Sequence, residues 1–143
     1  MRIQITGSRD FTDWQIVHDA IVDQMIEPFK SGEQVTVIHG AAKGADTLAG
    51  QAMFDYSWVD VEVHPANWSD CGNNCDPGHW RYRNGEPYCP RSGFVRNAKM
   101  IALNPDVVLA FKKRGSGNKG TQGTIDLAIK AGIPVIEYWQ EPK

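Results

Sequence analysis

The stretch of sequence that decides the fold runs Val35-Thr36-Val37-Ile38-His39-Gly40-Ala41-Ala42-Lys43-Gly44-Ala45-Asp46. Its first part is apolar and β-branched, which is typical of a strand, and this strand ends at Gly40. Apolar side chains then recur at helical spacing as far as Tyr56, which predicts a helix over residues 45–56. A strand, a glycine-rich loop and a helix in this order form the first part of a parallel βαβ unit.

The same alternation of strands and helices continues in both directions along the chain. Strands are predicted over 2–6, 35–38, 59–63, 107–111 and 133–138, and helices from Trp14 to before Gly32 and over 45–56, 94–103 and 121–130. The run 107–111 is apolar throughout, which indicates a central parallel strand buried on both faces. The pattern predicts an α/β, Rossmann-like three-layer fold with a mainly parallel sheet of about five strands.

Local sequence patterns predict where the first helix begins and which residues at the C-terminus are frayed. Thr12, followed by Gln15, has the spacing of a capping box and is predicted to be the N-cap of the first helix. Residues 140–143 are expected to fray. The length of 143 residues is right for one domain, residues 1–143, with a single sheet.

Composition limits the classes of function. No segment approaches the ~20 apolar residues that a membrane-spanning helix needs, and the N-terminal sequence lacks the features of a signal peptide. We therefore expect a cytoplasmic protein with no membrane partner. The formal net charge of −2 disfavours nucleic acid as a partner.

Three predicted strands end in glycine-rich segments, at 7–9, 39–46 and 115–121. Parallel strands bring such segments to one edge of the sheet, where α/β proteins bind ligands. Glycines let backbone amides approach an anion, and the helices that follow add free N–H groups and a favourable dipole. Positive charge is available from Arg9, Lys43 and Lys119. Neither a Walker A motif nor a G-x-G-x-x-G motif is present, which argues against ordinary P-loop nucleotidases and dinucleotide dehydrogenases.

Several short motifs resemble one family along nearly the whole chain. They are Gly7-Ser8-Arg9, His39-Gly40-Ala41 with Gly44-Ala45-Asp46 and Leu48-Ala49, Pro65-Ala66 with Trp68, Arg96-Asn97 with Met100, and Gly120-Thr121 with Ala128. This set is similar to the YspA-like branch of the SLOG superfamily, which includes the lonely-guy phosphoribohydrolases and DNA-processing protein A. The resemblance implies a Rossmann-like fold and a site for a nucleotide or a nucleotide-derived ligand. Many proteins of this branch look phage-borne, which would place this chain in a host cytoplasm, and relatives often dimerise.

The glycine loops and the resemblance together imply a set of ligand-binding residues, namely Gly7, Ser8, Arg9, Gly40, Lys43, Gly44, Ala45, Asp46, Arg96, Asn97, Gly120 and Thr121. The resemblance implies that Gly120 and Thr121 hold a phosphate at a helix start. Asp46 would accept a hydrogen bond from a ribose hydroxyl, or would instead cap the second helix.

One departure from the family bears on catalysis. The phosphoribohydrolases carry a glutamate three residues after the threonine of their Gly-Thr motif, and here Thr124 stands at that position, or Leu127 if the second Gly-Thr pair is used. A carboxylate is the natural group to stabilise a sugar cation or to activate water. We therefore expect a binding protein, such as a sensor or a sequestering factor. The alternatives are a nucleoside-monophosphate N-glycosidase that uses Asp46 or Asp126, and a single-stranded DNA-binding protein.

Residues 66–93 show no sustained periodicity and are predicted to form a Cys/His-rich insertion. They contain four potential metal ligands, Cys71, Cys75, His79 and Cys89. Three cysteines and one histidine are a common structural zinc set, and metal would order a segment of low apolar content. The alternative is three free thiols and a solvent-facing histidine.

Overall fold

The computed structural model describes residues 1–67, 80–89 and 91–141 of the chain. The elements within these residues are, in order, β1 (Arg2–Gly7), α1 (Trp14–Ser31), β2 (Val35–His39), α2 (Ala45–Met53), β3 (Val59–Val63), β4 (Arg81–Arg83), β5 (Glu86–Tyr88), α3 (Ser92–Ala102), β6 (Val107–Lys113), α4 (Lys119–Lys130) and β7 (Val135–Gln140). Strands and helices alternate along most of the chain, as the sequence predicts.

Five strands form one parallel sheet in the order β3-β2-β1-β6-β7. The expected α/β, Rossmann-like architecture is thus confirmed. The short strands β4 and β5 pair with each other in an antiparallel hairpin. Since the five parallel strands point the same way, their carboxyl ends share one edge of the sheet, and β1 and β6 lie at its centre.

The helices cover the two faces of the sheet in pairs. On one face, side chains of α1 and α2 pack with those of β1, β2 and β6, including Ile5, Val37 and Leu109. On the other face, Val108 packs with residues of α3 and α4 such as Ile101 and Ala128. Neighbouring residues on one strand face opposite sides, so these two clusters form the two interfaces of a three-layer structure.

The first helix is capped by Asp13, and the predicted capping role of Thr12 is wrong. The Asp13 carboxylate accepts a hydrogen bond from the Ile16 amide at 3.3 Å. The Thr12 hydroxyl instead accepts one from Gln140 Nε2 at 2.7 Å, while Gln140 Oε1 accepts from the backbone amides of Thr12 and Asp13. Because Gln140 bonds to the Thr12 hydroxyl, Thr12 does not cap the helix, and Asp13 is the N-cap.

Other differences from the prediction concern where elements begin and end. Helix α2 stops at Met53, and α3 begins at Ser92 within the segment predicted to be irregular, which also contains β4 and β5. Strand β6 continues to Lys113 because its last residues pair with β7. Gln140 belongs to β7 and is 6 % exposed, so it does not fray.

Most of the predicted zinc set lies outside the described residues. This applies to Cys71, Cys75 and His79, whereas Cys89 is buried directly after β5. Within 1–67, 80–89 and 91–141, no three His, Cys, Asp or Glu side chains are grouped so as to hold a metal ion. In the same residues no helix has both the length and the apolar character needed to cross a bilayer.

Replacing the capping carboxylate tests the start of α1. Asp13→Ala is expected to lower the free energy of unfolding by about 0.5–2 kcal/mol, because the Ile16 amide loses its side-chain acceptor. Asp13→Asn, which keeps an acceptor oxygen, is expected to lose much less. Urea unfolding of both variants measures the difference, and equal losses would contradict the capping role.

Candidate functional site

A cleft of about 390 Å³ opens at the carboxyl edge of the sheet, between the ends of the strands and the first turns of α3 and α4. This volume is at the lower end of the range for small-molecule sites. The residues that line it are Ile5, Thr6, Gly7, Ser8, Arg9, Asp10, Ala42, Asp46, Gly93, Phe94, Arg96, Asn97 and the continuous segment 116–121. A cavity therefore lies at the predicted edge of the sheet.

Two glycines bring the strand ends together. A side chain at Gly7 would meet the carbonyl oxygen of Phe111 at 2.8 Å and would overlap the Cβ of Ala45. Gly44 has a φ of +84° and lies against the Ser8 carbonyl oxygen, so it has neither the room nor the backbone conformation for a side chain. The loops after β1 and β2 thus pack backbone to backbone beside the cleft.

Asp46 lies in the first turn of α2, lines the cleft and is 6 % exposed. Its Oδ2 accepts hydrogen bonds from the amides of Gly40 at 2.9 Å and Ala42 at 3.3 Å, which fixes the shape of the preceding loop. Burial raises the pKa of Asp46 to about 6, although these two bonds and the charge of Arg96 act to lower it. A carboxyl group with this pKa changes its charge within the cleft close to neutral pH.

Arg96 ties helix α3 to the ends of two strands. Its Nη1 donates to the carbonyl oxygens of Gly40 and His64, and its Nε donates to Asn97 Oδ1 at 2.7 Å. Gly40 gives the guanidinium room, since a Cβ there would overlap it. Burial lowers the pKa of Arg96, and the nearby carboxylate of Asp46 opposes this shift. The cleft therefore has a partly buried cation and a buried carboxyl group in the same wall.

The start of α4 supplies unoccupied donors. Its N-cap, Asn118, has a φ of 51° and makes no side-chain cap. The Asn118 amide instead bonds the backbone of Lys113 and Ser116, which closes the preceding turn. The first amides of a helix have no acceptor within the helix, and no other described residue accepts from the N–H groups of 119–121, which lie beside the cleft.

Buried hydroxyls with unused hydrogens lie around the same cavity. Thr6 and Thr121 are 8 % and 3 % exposed, and in the described part of the chain neither hydroxyl has a hydrogen-bond partner. Ser8 is 6 % exposed, and its hydroxyl accepts from the Asp10 amide at 3.2 Å. Gln4, on the same strand face as Thr6 and fully buried, has an amide group unpaired among the described residues. Of these groups, the Gln4 amide is the one that is fully buried at the atomic level, and a buried polar group without a partner costs free energy.

The predicted site residues separate into two groups. Gly7, Ser8, Arg9, Asp46, Arg96, Asn97, Gly120 and Thr121 all line the cleft. Gly40, Lys43, Gly44 and Ala45 do not: the two glycines give neighbouring groups room, Ala45 packs against Gly7, and Lys43 is exposed.

The two candidate catalytic carboxylates lie in different places. Asp46 lies in the cleft, whereas Asp126 is exposed on α4, outside the lining, and accepts from Gln122 Nε2 at 2.9 Å. Thr124, at the position of the family glutamate, is 1 % exposed and donates to the Gly120 carbonyl oxygen at 3.3 Å. The structure therefore leaves Asp46 as the one of these two aspartates that a bound ligand would meet.

Sequence reasoning missed several lining residues, chiefly Thr6, Asp10, Phe94 and Ser116. Thr6 was detectable, because alternation along β1 puts it on the face that α4 covers. Asp10 and Ser116 meet through a hydrogen bond of 2.9 Å between residues far apart in sequence, and no local pattern indicates that contact.

The titration of Asp46 makes a prediction about stability. Because its pKa in the folded protein is above the ordinary value of 3.8, the folded state holds this proton more tightly than the unfolded chain. This contribution to stability is complete below pH 3.8 and is lost as the pH rises through about 6. Asp46→Asn removes it, so the free energy of unfolding of the variant should rise relative to the native protein by on the order of 1–3 kcal/mol from about pH 4 to about pH 7.

Chemical denaturation at a series of pH values measures this difference. Asp126→Asn is the matched control, because the exposed Asp126 lies outside the cleft. A difference between the Asp46→Asn variant and the native protein that stays constant with pH would contradict the raised pKa.

Comparison with known proteins agrees with this architecture. Residues 1–70 match the YspA, cpYpsA-related SLOG family. Over its whole length the chain is similar to the Gene 61 protein of Mycobacterium phage D29, with 32 % identity over 149 residues that cover 99 % of this chain and 98 % of the relative. The matched residues include the loops after β1 and β2 that form one side of the cleft. The chain belongs to the YspA, cpYpsA-related SLOG family.

Proposed function

We propose that the cleft binds a nucleotide or a nucleotide derivative, with a phosphate group at the start of α4. The observation that carries this proposal is Thr121. Its side chain is 3 % exposed, lines the cleft and has no hydrogen-bond partner among the described residues. The Thr121 hydroxyl oxygen is not among the fully buried atoms without a partner, so it is accessible from the cleft, where it can donate a hydrogen bond to a phosphate oxygen.

The surroundings of Thr121 are suited to an anion. The free amides of residues 119–121 and the positive end of the helix dipole lie at the same place. Gly120 leaves open space, because a Cβ built there meets nothing within 4 Å. Arg9 and Lys119 add positive charge to the lining, and the buried Ser8 adds a further hydroxyl.

The same geometry supports binding more strongly than catalysis. The position at which the related hydrolases carry their glutamate is occupied by Thr124, which is buried and not part of the cleft lining. An N-glycosidase remains the second candidate because Asp46 has a raised pKa within the cleft. However, its Oδ2 is already engaged by two backbone amides, which gives the carboxyl group a role in holding the loop.

Thr121 can be tested against a matched control on the same helix. Thermal shift with nucleoside monophosphates, cyclic nucleotides and ADP-ribose identifies a binder, and calorimetry measures its affinity. Thr121→Val is expected to weaken binding by about 10- to 100-fold, because a hydrogen bond to a charged group contributes about 1.5–3 kcal/mol. Thr124→Val removes a hydroxyl one turn further along α4, outside the cleft, and should leave the affinity unchanged.

Four outcomes would count against the proposal. The absence of any thermal shift across the panel would overturn it, as would equal losses in the two valine variants. Release of free base from a nucleotide by the native protein, abolished by Asp46→Asn, would establish the N-glycosidase function in its place. Salt-sensitive binding of oligonucleotides in preference to mononucleotides would favour the single-stranded DNA alternative.

We also propose that Cys71, Cys75, His79 and Cys89 hold a structural zinc ion. The support is the residue set itself and the position of Cys89, which is buried and whose carbonyl oxygen accepts from the Ser92 amide at 3.1 Å. A metal bound there would connect the insertion to the start of α3, and α3 contributes one wall of the cleft.

Metal analysis tests this second proposal. Protein purified without chelators is expected to contain about one zinc per chain, and Cys71→Ser and Cys75→Ser should each lower that content sharply. His18→Ala, which changes a histidine on α1, is the control and should keep the metal. Zinc-free native protein with three freely reactive thiols would show that the cluster is not a metal site.

A further inference from the structure

One aromatic side chain lines the cleft, and the proposed function does not yet use it. Phe94 lies in the first turn of α3 and is 44 % exposed. It is the only aromatic residue among those that line the cleft in the described part of the chain. No other aromatic ring of the described residues stacks on it. Phe94 is thus a partly exposed aromatic residue in the wall of the cleft.

Gly123 of α4 fixes where the ring sits. A Cβ built at Gly123 would lie 3.5 Å from Phe94 Cε1 and 3.7 Å from Cδ1, which is ordinary contact distance. The ring edge thus rests beside the α4 backbone, with no side chain of residue 123 in between. This support holds the ring at the junction of the two helices that form the outer side of the cleft.

Phe94 contacts α4 one turn after the proposed phosphate position. Gly123 follows Gly120 by three residues, which is about 4.5 Å along a helix axis. One sugar separates the phosphate from the base in a mononucleotide, and the cleft that Thr121 lines at the proposed phosphate position is also lined by Phe94. The cleft volume of about 390 Å³ is in keeping with a ligand of this size.

We propose that Phe94 is the platform on which the base of the ligand stacks, and hence that the ligand is a mononucleotide-sized compound carrying a planar heteroaromatic base and not a phosphosugar alone. This inference rests on the proposed function, because it takes the phosphate position as given. Stacking on one ring face tolerates any base. Phe94 accordingly distinguishes compounds with a base from compounds without one, and does not select among the bases.

The experiment compares adenosine 5′-monophosphate with ribose 5-phosphate, which share the phosphate and the sugar. The native protein is expected to bind the nucleotide about tenfold or more tightly than the sugar phosphate, the range that stacking on an aromatic side chain gives. Phe94→Leu should remove that advantage and leave the affinity for ribose 5-phosphate unchanged. Phe94→Trp should retain it. Phe54→Leu is the matched control, because Phe54 is 86 % exposed and lies outside the cleft.

A spectroscopic readout separates stacking from a general effect on the cleft. In the native complex the base protons of the nucleotide should move upfield in the NMR spectrum through the ring current of Phe94, and this shift should vanish in Phe94→Leu. If both ligands bind the native protein equally and Phe94→Leu changes neither affinity, the platform is refuted while the phosphate site stands. If the native protein binds neither of these ligands nor any nucleotide of the thermal-shift panel, the proposed function fails and this inference fails with it.

Discussion

The rest of the site depends on the absence of side chains at Gly7 and Gly44. Gly7 lets the end of β1 contact both Ala45 and the Phe111 backbone, and Gly44 lets the loop after β2 contact the Ser8 carbonyl oxygen. The Ser8 amide then donates to the Phe111 carbonyl oxygen at 2.8 Å. These contacts bring the ends of three parallel strands together at one point, and the cleft forms above that point.

Within the cleft wall, the charges of Asp46 and Arg96 act on each other. Asp46 and Arg96 interact electrostatically, yet most of their hydrogen bonds go to backbone groups of the loop and of the neighbouring strand ends. Both side chains therefore hold the backbone of the cleft wall in place and also give this wall charged groups. In the proposed function, the first amides of α4 and the Thr121 hydroxyl would hold an anion without requiring a change in this pair.

Periodicity and glycine placement predicted the order of the elements, the parallel sheet and the edge at which the cavity lies. Predictions from local sequence pattern were less reliable where a residue distant in sequence contacts the residue in question. Thr12 looks like a cap until Gln140 occupies its hydroxyl, and Gly40 looks like a ligand-binding glycine until the guanidinium of Arg96 fills the space above it. Phe94 was missed because an aromatic residue in a helical pattern is most simply explained as part of the core, and only the tertiary arrangement turns it toward the cavity.

The bonds of Gln140 to residues 12 and 13 have a consequence for how the molecule acquires its structure. They join positions 127 and 128 residues apart, and they anchor the start of α1. During synthesis this anchor is not available until β7 has emerged, although α1 itself is made early. Closing so long a loop is entropically costly and slows folding. The N-terminal helix is thus among the first elements to be translated, and its N-terminus is among the last parts to be fixed in place.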